Sequence, residues 1–161
     1  MQRRLTPVAA IASILRDSPK PIVGDKSSIA RVRCVLMLGG RYLLAQHNSR
    51  RRERIGRWGL PGGRLRPAEK PKACLRRELI EELGCQVPYL KRLGDWLHDD
   101  ELHRVFGCEI DEPIETFAAD ELLAIGWFTY EETAELAVAG KLRTGFELAA
   151  IAEFRRHHSA R

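Results

Sequence analysis

Three glutamates define the chemistry this sequence can support. Glu78, Glu81 and Glu82 lie in the stretch from Gly63 to Cys85, GRLRPAEKPKACLRRELIEELGC. From about Pro71 to Leu83 the stretch has the length and residue types of a helix, and Gly84 stands where a glycine C-cap closes one. Residues three and four apart on a helix are neighbours, so the three carboxylates share a face. Leu75, Leu79 and Leu83 form an adjoining apolar stripe that can anchor the same helix. Three close carboxylates repel one another unless a positive charge sits among them. A divalent cation meets that need, and carboxylate oxygens suit a hard ion such as Mg2+, with Mn2+ as a substitute.

The fixed positions of this stretch are Gly63, Glu69, Arg77, Glu78, Leu79, Glu81, Glu82 and Gly84, followed by Cys85. In type and spacing they resemble the signature box of the Nudix hydrolases. Cys85 replaces a bulky aliphatic residue, and cysteine can fill that packing role as a small hydrophobe. The preceding Trp58-Gly59-Leu60-Pro61-Gly62-Gly63 resembles the family's usual entry into the box. The resemblance implies that Glu78 and Glu82 are the main metal ligands, that Glu81 shares an ion, and that the Gly62 carbonyl adds a ligand. It also implies that Glu69 and Arg77 form an internal pair that, with Gly63, supports the site. Glu78 is the first choice for activating water. Similar proteins also draw the base from a later loop, where Glu115, Asp120 and Glu121 are candidates and Glu121 is favoured.

The elements that must position these residues follow from patterning. Residues 7 to 16 read as a helix stopped by Ser18-Pro19 and Pro21, so residues 1 to 28 form an N-terminal helix or arm ahead of a domain spanning 29 to 161. Ile29 to Leu38 and Tyr42 to Gln46 are β-rich runs joined by Gly39-Gly40, a hairpin. Val87 to Leu93, Asp95 to His98, Leu102 to Ile110 and Ile125 to Phe128 read as further strands. Asp99-Asp100-Glu101 is a turn and Asp111 to Leu122 an acidic loop. Thr129 with Glu132 opens a helix by a capping box, and Leu142 to His157 is the last helix. The pattern supports mixed α and β; the resemblance implies an α/β/α sandwich around a mixed central sheet.

At 161 residues and 44% hydrophobic content the chain can build one core. Cys34, Cys74, Cys85 and Cys108 lack metal-ligand spacing and read as reduced, packed thiols of a cytoplasmic protein. No apolar run approaches the roughly 20 residues that span a membrane. Arg3 and Arg4 before an apolar segment suggest a targeting signal, but Arg16 and Asp17 follow at once and favour an ordinary amphipathic helix. The histidines, at 47, 98, 103, 157 and 158, show no paired metal spacing and read as surface residues. Trp127 and Phe106 read as core.

The net charge of +5 hides an asymmetry: residues 1 to 66 carry 15 Lys/Arg against 3 Asp/Glu, residues 67 to 161 carry 12 against 19. In the loop from His47 to Arg57, Arg50, Arg52 and Arg57 are candidates for substrate phosphates, since guanidinium groups match phosphate geometry. Trp58 is a candidate for stacking on a base. The leading reading is a Mg2+-dependent pyrophosphohydrolase that cleaves the diphosphate linkage of a small nucleotide by water attack at phosphorus. The resemblance leaves the nucleotide open among nucleoside triphosphates, nucleotide sugars, dinucleoside polyphosphates, coenzyme A and capped RNA, and implies a homodimer as the common assembly. The basic front half raises a rival, an RNA 5′-end pyrophosphohydrolase. A nucleotide-sensing regulator without turnover is a further alternative, although a pure binding module has no need of all three helix glutamates.

Overall fold

The structure, a computed structural model, describes residues 7–23 and 28–159. The ends of the proposed N-terminal arm, residues 1–6 and 24–27, lie outside the described residues. The elements run α1 (Pro7–Asp17), β1 (Arg31–Leu38), β2 (Arg41–His47), β3 (Gly62–Arg64), α2 (Pro71–Leu83), β4 (Lys91–His98), β5 (Glu101–Glu109), β6 (Leu122–Phe128), α3 (Tyr130–Val138) and α4 (Glu147–Ser159). A short 3-10 turn at Arg52–Arg54 interrupts the loop between β2 and β3.

The six strands form one mixed sheet in the order β4-β5-β1-β2-β6, with β3 paired to the N-terminal half of β1. β1 and β5 are parallel and every other pairing is antiparallel. Because strand side chains alternate, β1 serves two cores at once. Val32, Cys34 and Leu36 face α2, where Leu75, Leu79 and Leu83 fill the layer. Val35 and Met37 face the opposite layer with Phe146, Ile151 and Phe154, and Ile11, Ile14 and Leu15 of α1 pack there too. The result is the α/β/α sandwich expected above.

Local signals explain most element ends. Pro71 begins α2, where its missing N–H costs nothing, and Gly84 ends it in the left-handed region at φ 60°. The Gly84 and Cys85 amides donate to Ile80 O at 2.9 Å and Leu79 O at 3.2 Å, so the last turn is satisfied. Gly39-Gly40 closes the β1–β2 hairpin with Leu38 opposite Arg41. Thr129 and Glu132 form the capping box of α3 in both directions.

Three boundaries differ from the sequence reading. Val87 to Leu93 and Asp95 to His98 merge into one strand, β4, which starts at Lys91 and carries a register shift between Arg92 and Gly94. Val87 and Leu90 are buried coil instead. Asp99 and Asp100 alone make the β4–β5 turn, both at positive φ, and Glu101 already belongs to β5. The last helix starts at Glu147 and not at Leu142, which bridges to Trp58. Thr144 and Glu147 satisfy the first turn: the Thr144 and Gly145 amides donate to the Glu147 carboxylate at 2.9 and 2.8 Å. Phe106 is core as expected, whereas Trp127 is half-buried. His47 and His103 correct the expectation of surface histidines; they are 8% and 2% exposed.

Leu79 is fully buried between α2 and the sheet. Leu79→Ala should therefore lower unfolding free energy by about 2–5 kcal/mol in a denaturant titration. A change under about 1 kcal/mol would mean that α2 is not anchored as described.

Candidate active site

Glu78 and Glu82 sit one turn apart on α2, and Glu121 stands at the end of the loop that leads into β6. One carboxylate oxygen from each lies within 4.8 Å of the others. The loop is held on two sides: the Ala118 amide donates to Glu82 O of α2 at 2.8 Å, and the Asn48 amide, just past β2, donates to Glu121 O at 2.9 Å. Residues distant in sequence are thus brought together by backbone bonds that no side chain needs to supply.

Glu82 is 4% exposed, and its Oε2 has no hydrogen-bond partner. Burial, followed by repulsion from Glu78, holds its carboxyl well above the usual carboxylate range. Burial and the neighbouring Glu78 charge also raise Glu121. A buried carboxylate oxygen without a donor is costly in isolation, so the donor set fits a cation bound by oxygen ligands.

Arg77 organises the other side. It grips Glu69 with Nε and Nη2 at 2.8 and 2.9 Å, and its Nη1 donates to Glu78 at 3.0 Å and Glu81 at 3.2 Å. Glu69 also accepts the Arg66 amide, and these bonds pull its carboxyl down to about 2. Of the four metal ligands expected from the sequence, Glu78 and Glu82 meet at the cluster with Glu121. Glu81 is exposed and engaged by Arg77, with Arg66 at 3.8 Å. Gly62 and Gly63 lie in β3 beside this helix face. A Cβ on Gly63 would overlap the Glu78 carboxylate, and one on Gly62, at φ +146°, would overlap the Val32 carbonyl.

The remaining sequence candidates scatter. Arg50 lines a cleft of about 380 Å3 with Asn48, Ser49, Asp120 and Glu121, next to the cluster. Arg52 and Arg57 are exposed and line neither this cleft nor the arginine-rich one described next. Trp58 is half-buried, edge-on to Phe128 at 4.9 Å between ring centres. Glu115 lines a separate cleft of about 730 Å3. The sequence reading missed a second polar constellation, in which Arg31, Arg33, Arg64 and Arg143 surround a cavity on the opposite face of the sheet from α2. Its signal was the alternation Arg31-Val32-Arg33-Cys34, which puts two arginines on one face of a strand otherwise made for the core.

Gly63→Ala should push a methyl group into the Glu78 carboxylate. The expected outcome is a loss of divalent-cation affinity of about 10-fold or more by calorimetry, with a folding cost of about 1–3 kcal/mol. Unchanged affinity would mean that the Glu78 position is not set by this contact.

Comparison with known proteins places this geometry. The model of the NUDIX domain matches residues 28–147. The Mycobacterium tuberculosis protein named "Putative 8-oxo-dGTP diphosphatase 2" is 50% identical over 48 residues, covering 30% of this chain and 33% of its own length. The Escherichia coli nucleoside triphosphatase NudI is 38% identical over 63 residues, covering 39% and 44%. The matched segments thus span less than half the length of these curated relatives. Among solved structures, the NUDIX domain of Shewanella oneidensis NrtR, crystallised with ADP ribose, superposes with a TM-score of 0.62 at 19% identity, covering 91% of this chain and 97% of that one. With the match to the domain model extending over most of its length, this chain belongs to the NUDIX domain family.

Proposed function

We propose that this chain is a Mg2+-dependent pyrophosphohydrolase that cleaves a diphosphate linkage in a nucleoside triphosphate or a similar small nucleotide. The observation that carries the reading is the buried, partnerless Oε2 of Glu82 within reach of Glu78 and Glu121. The relatives' names, a diphosphatase and a nucleoside triphosphatase, support the same class of substrate. The free cysteines suit a reducing, cytoplasmic setting.

Glu78 and Glu82 are the residues to hold the ion, with Glu81 and the Gly62 carbonyl at the periphery. A bound divalent ion would neutralise phosphate charge and make a water more acidic. Arg77 fixes Glu78 by bonding to its Oε1, so that oxygen is committed to orientation. Glu121 is exposed, part of the cluster and free of that constraint, which makes it the better acceptor for the proton of the attacking water. Arg50, beside Glu121, is the one of the four proposed substrate residues whose position supports a phosphate contact. Six arginines converge on one compact cavity and do not form a continuous track, which favours a small nucleotide over a length of RNA.

Glu82→Gln and Glu78→Gln keep shape and remove charge. Each should lower kcat by about 10^2-fold or more on a nucleoside triphosphate panel read by pyrophosphate release with Mg2+. In EDTA at neutral pH, Glu82→Gln should melt above wild type, because it removes a carboxyl whose burial raises its pKa and so costs stability above the ordinary carboxylate range; added Mg2+ should raise the wild-type Tm and leave the variant's unchanged. Full turnover in both variants would refute the proposed role of the cluster.

A further inference from the structure

The register of β1 places Arg31 opposite Arg64 on β3 and beside His103 on β5, all on the face away from α2. Arg33 follows two residues on, and Arg143 enters from the segment before α4. Together with Arg51 and Arg54 they surround a cavity of about 190 Å3.

The acids lining this cavity are already committed. Asp99 pairs with Arg54, with Arg51 at 3.7 Å. Glu101 pairs with Arg31 at 3.2 Å and Arg64 at 2.7 Å. Arg33 and Arg143 have no carboxylate within ion-pair distance among the described residues. Arg33 is 3% exposed and donates to Leu60 O at 3.5 Å, a long bond. Arg143 Nη1 and His103 Nδ1 are buried without a partner. Glu82 and Glu147 attract both arginines from farther away, and Glu147 spends its oxygens on the Thr144 and Gly145 amides. Burial first, then repulsion from Arg143, pulls Arg33 down to about 10, and burial lowers Arg143 too. Two buried cations with no ion pair among the described residues, attracted only at longer range by carboxylates, are costly unless a ligand brings a counter-charge into contact.

We propose that this cavity is a phosphoryl subsite, in which Arg33 and Arg143 hold a phosphate group of the substrate other than the one under attack. The position fits the pyrophosphohydrolase reading, on which the word substrate rests. Arg64 lines the cavity while Gly63, the preceding residue, abuts Glu78, and consecutive strand residues face opposite sides. The arginines and the carboxylate cluster are therefore separated by the thickness of one strand, on the order of 10 Å, a span one nucleotide can bridge. Guanidinium groups match phosphate oxygens in geometry, and a neutral base would leave both charges uncompensated. The phosphate can come from the far end of a polyphosphate chain or from a phosphomonoester elsewhere on the nucleotide.

The test begins without metal. In low-salt buffer with EDTA, inorganic phosphate and pyrophosphate should each raise the wild-type Tm, pyrophosphate by about 5 °C at saturation. Arg33→Met and Arg143→Met should melt above wild type without anion and lose the shift. Glu82→Gln should keep the shift, as should Arg16→Met, a charge control on the exposed part of α1. No shift in wild type, a shift retained in both cavity variants, or one lost in Glu82→Gln would overturn the proposal. So would cavity variants that melt below wild type without anion, which would mark the arginines as structural. This arm reads out even if the protein hydrolyses nothing. With Mg2+, the KM of Arg33→Met should rise about 10-fold or more, with kcat little changed, on a nucleoside triphosphate or on a nucleoside diphosphate carrying a 3′-phosphate. The substrate affected identifies the source of the phosphate, and an unchanged KM on both overturns the assignment.

Discussion

A single desolvated carboxyl group governs this molecule. Glu82 is placed where water cannot reach it, next to a second carboxylate and with one oxygen unserved by any donor. Such a group is tolerated either by taking up a proton, as its raised pKa indicates, or by binding a cation, and the chain is built to hold the arrangement in place. Leu75, Leu79 and Leu83 pin the helix to the sheet, so the carboxylates cannot turn outward to solvent without uncovering a core face. Arg77 takes up the charge of Glu69 and part of that of Glu78 and Glu81, which leaves Glu82 and Glu121 as the members of the cluster without an ion pair among the described residues.

The two sides of the sheet carry opposite imbalances. On the α2 side Glu82 and Glu121 have no ion pair among the described residues; on the other, Arg33 and Arg143 have none either, and only longer-range attraction links Glu82 to the two arginines. β3, three residues long and glycine-rich, is the thin wall between them. Glycine at both Gly62 and Gly63 is a steric requirement, since a methyl group at either position would collide with the Val32 carbonyl or the Glu78 carboxylate. The wall is therefore as narrow as a polypeptide allows.

Much of this was legible before any coordinates. The bounds of α2, the β1–β2 hairpin and the α3 capping box each rest on short-range signals: a proline start, a glycine end, a Gly-Gly turn, a Thr-x-x-Glu spacing. The pairing of Glu69 with Arg77 followed from the family resemblance, and the structure bears out the contact. Long-range placement was not legible. His47 and His103 are buried by strands that meet only in the sheet, and nothing local marks them. Arg50 through Arg57 looked like one cationic loop, yet Arg54 turns to Asp99 while Arg52 and Arg57 stay at the surface. The late start of α4 was encoded in Thr144 and Glu147, a capping pattern that the apolar periodicity from Leu142 obscured.

Anomalous diffraction from a crystal soaked in Mn2+ tests the central claim most directly. The account predicts a peak about 2.1–2.3 Å from a carboxylate oxygen of Glu82, with oxygens of Glu78 or Glu121 completing the coordination. A catalytically competent crystal that shows Mn2+ bound elsewhere, with the oxygens of Glu82 bonded only to protein or water, would contradict it.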